Sequence, residues 1–206
     1  MTRNQLAAIL AKYLPNETIL AVADELIANK VHLKITKPRV TKYGDFKIPR
    51  NGEQHRISVN SNLNPWAFLV TLLHELAHLY CWEKHGPMVG AHGSHWKEEF
   101  RQILQPYHQQ NVFPPDLSHA IGHYISNPKA SSCSSPLLMK ALANYDQHTG
   151  AVMLDIVGTG MMFSTENGRI FKKGEKRRTR FLCTDIKTGR AYLVHSVAKV
   201  IVVSDK

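Results

Sequence analysis

The sequence predicts an α+β protein, and three observations predict it. Helical periodicity fills the first thirty residues and returns between residues 65 and 104. Between these stretches, residues 31–60 alternate apolar and polar side chains, the pattern of a small antiparallel sheet. From Ala151 onward the chain reads as short strands separated by turn signals. With 206 residues, 43% of them hydrophobic and 20% charged, the chain can bury a core and is not wholesale disordered. The divisions expected are 1–105, helices with a small sheet; 106–150, a helical and irregular connector; and 151–206, a basic β-rich module.

The first helix places Leu6, Ile9, Leu10 and Tyr13 at i, i+3, i+4 and i+7, and Pro15 ends it. Asn16 is read as the N-cap of a second helix with Ile19, Leu20, Val22, Ala23, Leu26 and Ile27 on its apolar face. Val31, Leu33 and Ile35 then alternate as a strand. Two more strands are expected around Val40–Ile48 and Arg56–Asn60, with bends at Gly44 and Asn51-Gly52. The next helix has the clearest limits. Asn64 is a good N-cap, and Pro65 at N1 lacks only an N–H that would go unused. Trp66 through Leu73 is apolar nearly all round, so this helix is buried. His85-Gly86-Pro87 stops it. Another helix shows Trp96, Phe100, Ile103 and Leu104 on one face and is expected to end before Pro106.

Residues 106–150 hold Pro114-Pro115, Asn127-Pro128 and a serine-rich patch at 131–135, with short helices expected at Leu117–Ile125 and Leu137–Tyr145. In the tail, Met161–Ser164 and Arg169–Phe171 flank Asn167-Gly168, a strong hairpin signal. Phe181–Ile186 and Ala191–Val194 flank Thr188-Gly189, and Val197–Val203 makes a further strand.

Charge and cysteine usage narrow the functional classes. The 26 Lys+Arg exceed the 16 Asp+Glu by ten, which favours anionic partners, nucleic acid foremost. Cys81, Cys133 and Cys183 are odd in number and far apart, which excludes a disulfide scaffold and a four-cysteine zinc site within one chain. No apolar run approaches the roughly 18–20 residues of a membrane span, and the start lacks a secretory signal. A cytoplasmic protein is expected.

The buried helix carries His74-Glu75-Leu76-Ala77-His78, an H-E-x-x-H motif. At 100° per residue the two histidines lie about 40° apart, one turn displaced, so both imidazoles can bind one Zn²⁺. Glu75 then faces the metal-bound water and can take its proton. With 12 His and 9 Glu in 206 residues, random order yields the motif with probability about 0.03. Polar residues inside an apolar helix are costly unless paired, and a shared metal accounts for three of them at once. A catalytic zinc needs a third protein ligand. His85 sits beside the helix stop, directed away from the site. The pattern H-E-x-x-H-x-x-G-x-x-H fails, because Cys81 and Lys84 stand where Gly and His are required. Glu98, Glu99 and His92 remain.

The motif His74-Glu75-Leu76-Ala77-His78, followed by His92-Gly93-x-x-Trp96, resembles the SprT-like metalloprotease family, which includes the Spartan DNA–protein crosslink proteases. Thr71-Leu72-Leu73 and the bend at Tyr43-Gly44 fit the same layout, and the resemblance spans about residues 5–105. It implies a zincin-like core, one zinc ion, His92 as third ligand, and a protein substrate near or on DNA. Many members continue into a four-cysteine zinc ribbon. Here the tail has that hairpin rhythm but keeps only Cys183, so it is expected to do without metal.

Three neutral imidazoles would leave the zinc charge uncompensated and acidify bound water toward a pKa of about 7. Glu75 would accept its proton as the water attacks a peptide carbonyl, then pass it to the leaving amine. Tyr43, Tyr80, His95 and Tyr107 are the candidate oxyanion donors. The run from Lys172 to Arg180 offers Lys172, Lys173, Lys176, Arg177, Arg178 and Arg180 as phosphate contacts. Lys34, Lys37, Arg39, Lys42 and Lys47 add charge near the first sheet. A zinc metallopeptidase acting on nucleic-acid-associated proteins is the main reading. A non-catalytic, zinc-containing regulator associated with nucleic acid is the alternative, and an intact Glu75 argues against it.

Overall fold

A computed structural model describes residues 2–39, 42–48, 54–87, 89–129, 135–147 and 150–203. The Asn51-Gly52 bend, Cys133 and residues 131–134 of the serine-rich patch lie outside these. The chain divides into two compact units, Met1–Asp146 and Gln147–Lys206. No helix among the described residues is long and apolar enough to cross a membrane.

The first unit opens with α1 (Arg3–Leu10), started by a capping box between Thr2 and Gln5. Leu6, Leu10 and Leu14 are buried, whereas Ile9 stays exposed. A short 3-10 turn at Asn16–Thr18 leads into α2 (Ile19–Ala28), so Asn16 begins that turn rather than capping the helix. Three strands follow: β1 (Val31–Thr36), β2 (Gly44–Lys47) and β3 (His55–Asn60).

Their order is β1-β3-β2, with β1 parallel and β2 antiparallel to β3. The expected antiparallel sheet is therefore mixed. The physical reason is the length of the β1–β2 link. Seven residues separate the end of β1 at Thr36 from the start of β2 at Gly44, enough chain to allow a separation of two strand spacings of about 4.8 Å each. A tight hairpin could not. The order leaves β2 at the sheet edge.

The central helix is α3 (Pro65–His85). Asn64 Oδ1 accepts from Ala67 N at 2.9 Å, and its Nδ2 donates to Leu142 O at 2.8 Å and to Asp146 Oδ1 at 3.0 Å. The cap thus ties the start of α3 to the end of the unit. Gly86 ends the helix at φ +74°, a conformation that favours glycine. Every residue from Ala67 to Ala77 is buried.

Helix α4 (Ser94–Gln109) runs through Pro106 instead of ending before it. Proline removes one backbone hydrogen bond, but Trp96, Phe100, Leu104 and Tyr107 pack continuously on the core and hold the last turn. Residues 106–146, read from sequence as part of a connector, contribute to this same core. Helices α5 (Pro115–Ser126) and α6 (Pro136–Ala143), each with proline at its start, bury Leu117, Ala120, Ile121, Tyr124, Leu138 and Leu142 there.

The second unit is a six-stranded antiparallel sheet. Its strands are β4 (Val152–Met153), β5 (Met162–Ser164), β6 (Ile170–Arg177), β7 (Arg180–Asp185), β8 (Ala191–His195) and β9 (Lys199–Val203). Their order is β4-β9-β5-β6-β7-β8. Phe163, Phe171, Phe181, Cys183 and Val200 form its core with Leu154 and Val157. No strand is supported by a disulfide, and Cys183 is a buried free thiol. Asp185 organises one end: it accepts from Thr188 N at 2.8 Å and from Arg169 Nη2 at 2.6 Å.

Candidate metal centre

Helical geometry puts His74 and His78 one turn apart on the flank of α3 that meets α4. The third histidine arrives from the loop between those helices. His92 sits at φ +63°, a left-handed conformation that costs a non-glycine residue of the order of 1–2 kcal/mol. Gly93 N donates to Gly90 O at 3.0 Å, closing the turn around it. His92 Nε2 then lies 3.1 Å from His74 Nε2 and 2.9 Å from His78 Nε2. The indole of Trp96 packs against all three imidazoles, with ring centroids 4.6, 5.3 and 4.7 Å from His74, His78 and His92. Phe100 stacks on Trp96 from behind at 5.1 Å.

The three nitrogens suit a metal better than they suit one another. Burial, and then the nearness of His78 and His92, pushes His74 down to about 3. Burial pushes His78 down to about 4 and lowers His92 as well. All three are therefore neutral near pH 7, with one lone pair each and few protons to place between them. Tetrahedral zinc with bonds of about 2.0–2.1 Å requires its nitrogens to be about 3.3 Å apart, close to the spacing found. Among the described residues, this is the group of His, Cys, Asp or Glu side chains whose donor atoms all lie within 4.8 Å of one another. It could hold a metal ion, and three imidazoles are a donor set that zinc accepts.

Glu75 lies beside them, 6% exposed. Its carboxyl is pushed up to about 8, first by burial and then by Asp45. A hydrogen bond from the Phe46 backbone opposes the shift, as do the charges of Lys42 and Arg39. Phe46 and Asp45 belong to β2, so the sheet edge forms one wall around the carboxylate. The contact depends on Gly44. A methyl there would lie 2.5 Å from Glu75 Oε1 and 2.8 Å from both Glu75 Cγ and Thr71 Cγ2. Gly44 has no positive φ, so space and not backbone conformation demands glycine here. The sequence marks the Tyr43-Gly44 bend and offers Tyr43 as an oxyanion donor, but it gives Gly44 no part in the site. The available signal was a glycine heading the second strand, thirty residues before the motif.

The remaining candidates are placed elsewhere. Glu98 is engaged by Arg101 and by Gln102, and Glu99 pairs with Lys84 at 2.7 Å. Neither joins the histidine cluster. His85 and His95 stack on each other at 4.1 Å. Tyr80 and Tyr107 line a separate cleft of about 450 Å³ with Glu25, Lys84 and Glu99. Burial, and then the charge of Glu25, pushes Tyr107 up to about 12. Tyr80 Oη accepts from Asn29 Nδ2 at 3.0 Å. Tyr43 alone of the four oxyanion candidates adjoins the strand that meets Glu75.

In the second unit the basic run is strand and hairpin. Lys172, Lys176, Arg177, Arg178 and Arg180 are exposed. Lys173 is not available to phosphate, which corrects its place among the proposed contacts. Strand alternation turns it inward with Phe171, leaving it 4% exposed. Its Nζ donates to the carbonyls of Val157 and Asp155, the latter at 3.2 Å, and lies 3.8 Å over the Phe181 ring. A shift in register between Lys173 and Lys176 then carries the later charges outward.

The fold and this cluster define a class: an α+β unit whose long buried helix and following loop assemble three histidines beside a buried glutamate. Residues 21–119 match the family model described as the SprT-like family. The matched stretch contains most of α2, the first sheet, α3, α4 and all three histidines. No curated protein and no solved structure matches the chain.

Proposed function

We propose that the first unit is a zinc-dependent metallopeptidase of SprT-like type that cleaves proteins associated with nucleic acid. The observation carrying this reading is the convergence of His74, His78 and His92 beside Glu75. A zinc ion held by those three imidazoles would supply a Lewis acid that acidifies water and polarises a peptide carbonyl. Glu75 removes a proton from the attacking water at a carboxylate oxygen and delivers it to the leaving amine nitrogen. Burial raises its proton affinity, and the positive charge of a bound metal would lower it again, so the carboxylate can take the proton and later release it. Trp96 fixes the imidazoles by packing on each ring. An intact, buried carboxyl next to the first histidine favours catalysis over a purely structural site, which has no use for a base.

In the second unit, the hairpin of β6 and β7 presents Lys172, Lys176, Arg177, Arg178 and Arg180 to a nucleic-acid backbone. The test joins metal analysis to a peptidase assay, with and without DNA, on the wild type and Glu75→Gln. One zinc per chain, with activity in the wild type and none in Glu75→Gln, is the expected result. Zinc with equal inertness in both on every substrate would favour a non-catalytic regulator. Equal activity in both would remove Glu75 from the mechanism. DNA affinity is expected to fall steeply with salt, and a flat response would reject the hairpin as a phosphate contact.

A further inference from the structure

The segment leading into β2 must be held still, because Gly44 and Phe46 touch Glu75. What holds it is a buried amide at the end of β3. Asn60 is 1% exposed. Its Nδ2 donates to Arg39 O and to Lys42 O, both at 3.0 Å. Its Oδ1 accepts from Arg39 Nε at 2.8 Å and from Thr36 Oγ1 at 3.2 Å. Its backbone N–H donates to Tyr43 O at 2.9 Å. Every hydrogen-bonding position of the side-chain amide is therefore used. Arg39 braces the same segment, donating from Nη1 to Ser58 Oγ at 3.1 Å and from Nη2 to Tyr43 O at 3.5 Å. The carbonyls of Lys42 and Tyr43, the two residues before Gly44, are thus both tied to β3.

We propose that Asn60, together with Arg39, is a positioning residue for Glu75. It fixes residues 42–46 so that Gly44 closes against the carboxylate and the Phe46 N–H reaches it. The role rests on the reading of Glu75 as the proton-transferring group. It acts through hydrogen bonds to Thr36, Arg39, Lys42 and Tyr43 and not through the metal-binding histidines. Asparagine is suited to this task because it offers two donors and two acceptors in one plane. Aspartate has nearly the same shape but would turn a second negative oxygen toward two carbonyls.

The experiment compares Asn60→Asp and Arg39→Met with wild type and Glu75→Gln, each as the full chain loaded with zinc. Two readouts are taken: steady-state kinetics on a peptide substrate, and hydrogen exchange at the amides of residues 42–46. Expected is faster exchange at Phe46, a kcat lower by about tenfold or more, KM little changed, and one zinc per chain retained. A role confined to stability would lower the melting temperature without dividing kcat from KM in the folded protein. Unchanged exchange at Phe46 in a folded variant overturns the inference. So does unchanged kcat where Glu75→Gln is inactive. If Glu75→Gln turns over like wild type, the peptidase reading fails instead, and exchange at Phe46 alone decides whether Asn60 positions the segment. If Asn60→Asp does not fold, Arg39→Met decides by the same criteria, since it keeps the apolar stem and the Asn60 amide.

Discussion

A methyl carbon added at Gly44 would meet the Glu75 carboxylate and the Thr71 methyl, and both belong to a helix buried along that stretch. Neither can retreat without moving α3. Gly44→Ala is therefore expected to destabilise the first unit by about 1–3 kcal/mol, read by urea denaturation. Zinc stoichiometry is expected to stay at the wild-type value, because the clash falls on Glu75 and not on an imidazole. His92→Ala acts in the opposite way. It removes one of three donors and leaves the left-handed backbone at φ +63° unchanged, since alanine keeps the Cβ. Zinc affinity is expected to fall by more than about a hundredfold with the fold intact, measured by competition with a chromogenic chelator. Retention of wild-type affinity would return Glu98 or Glu99 to consideration, against their pairing with Arg101 and Lys84.

Elements show how far local pattern reaches. The limits of α3 were legible because Asn64, Pro65 and Gly86 act within a few residues of themselves. The second use of Asn64 was not legible: its Nδ2 reaches Leu142, far along the chain. Asn64→Ala is expected to cost about 1–2 kcal/mol in thermal or urea unfolding, since cap and long-range bond go together. Strand β6 teaches the same lesson with charge. Six cations look alike in sequence, but alternation on the sheet buries Lys173 and exposes its neighbours. Lys173→Met is expected to leave the salt dependence of DNA binding unchanged, whereas Arg177→Ala with Arg178→Ala should reduce its slope by about two. At the turn after β7, hydrogen bonds from Arg169, and then from the Thr188 backbone, hold Asp185 below its ordinary value of 3.8. A carboxyl depressed on folding stabilises above its unfolded pKa and loses that effect as pH falls through its folded pKa. The midpoint of the second unit is expected to decline in acid below about pH 4, and Asp185→Asn to flatten that decline.

At the scale of the whole molecule, two units with separate cores should answer separately to metal. A ligand that binds only the folded state at a thousand times its Kd adds about 4 kcal/mol. Chelation is therefore expected to lower the unfolding midpoint of the first unit and leave that of the second unmoved, as followed by calorimetry. A shift in neither would contradict a zinc site in the first unit.

The sequence by itself determined the α+β class, the buried helix with its caps, the H-E-x-x-H motif and the pairing of that motif with His92-Gly93-x-x-Trp96. The first three are written in spacing along a few turns of chain, where helical periodicity and capping chemistry act, whereas the pairing with His92 comes from the resemblance to the SprT-like family. Only the tertiary structure decided that β1 runs parallel to β3, that Gly44 abuts Glu75, that Asn60 ties down the approach to it, and that Lys173 faces inward. These depend on which distant segments share a wall. That choice is made by the packing of whole elements, and no local period encodes it.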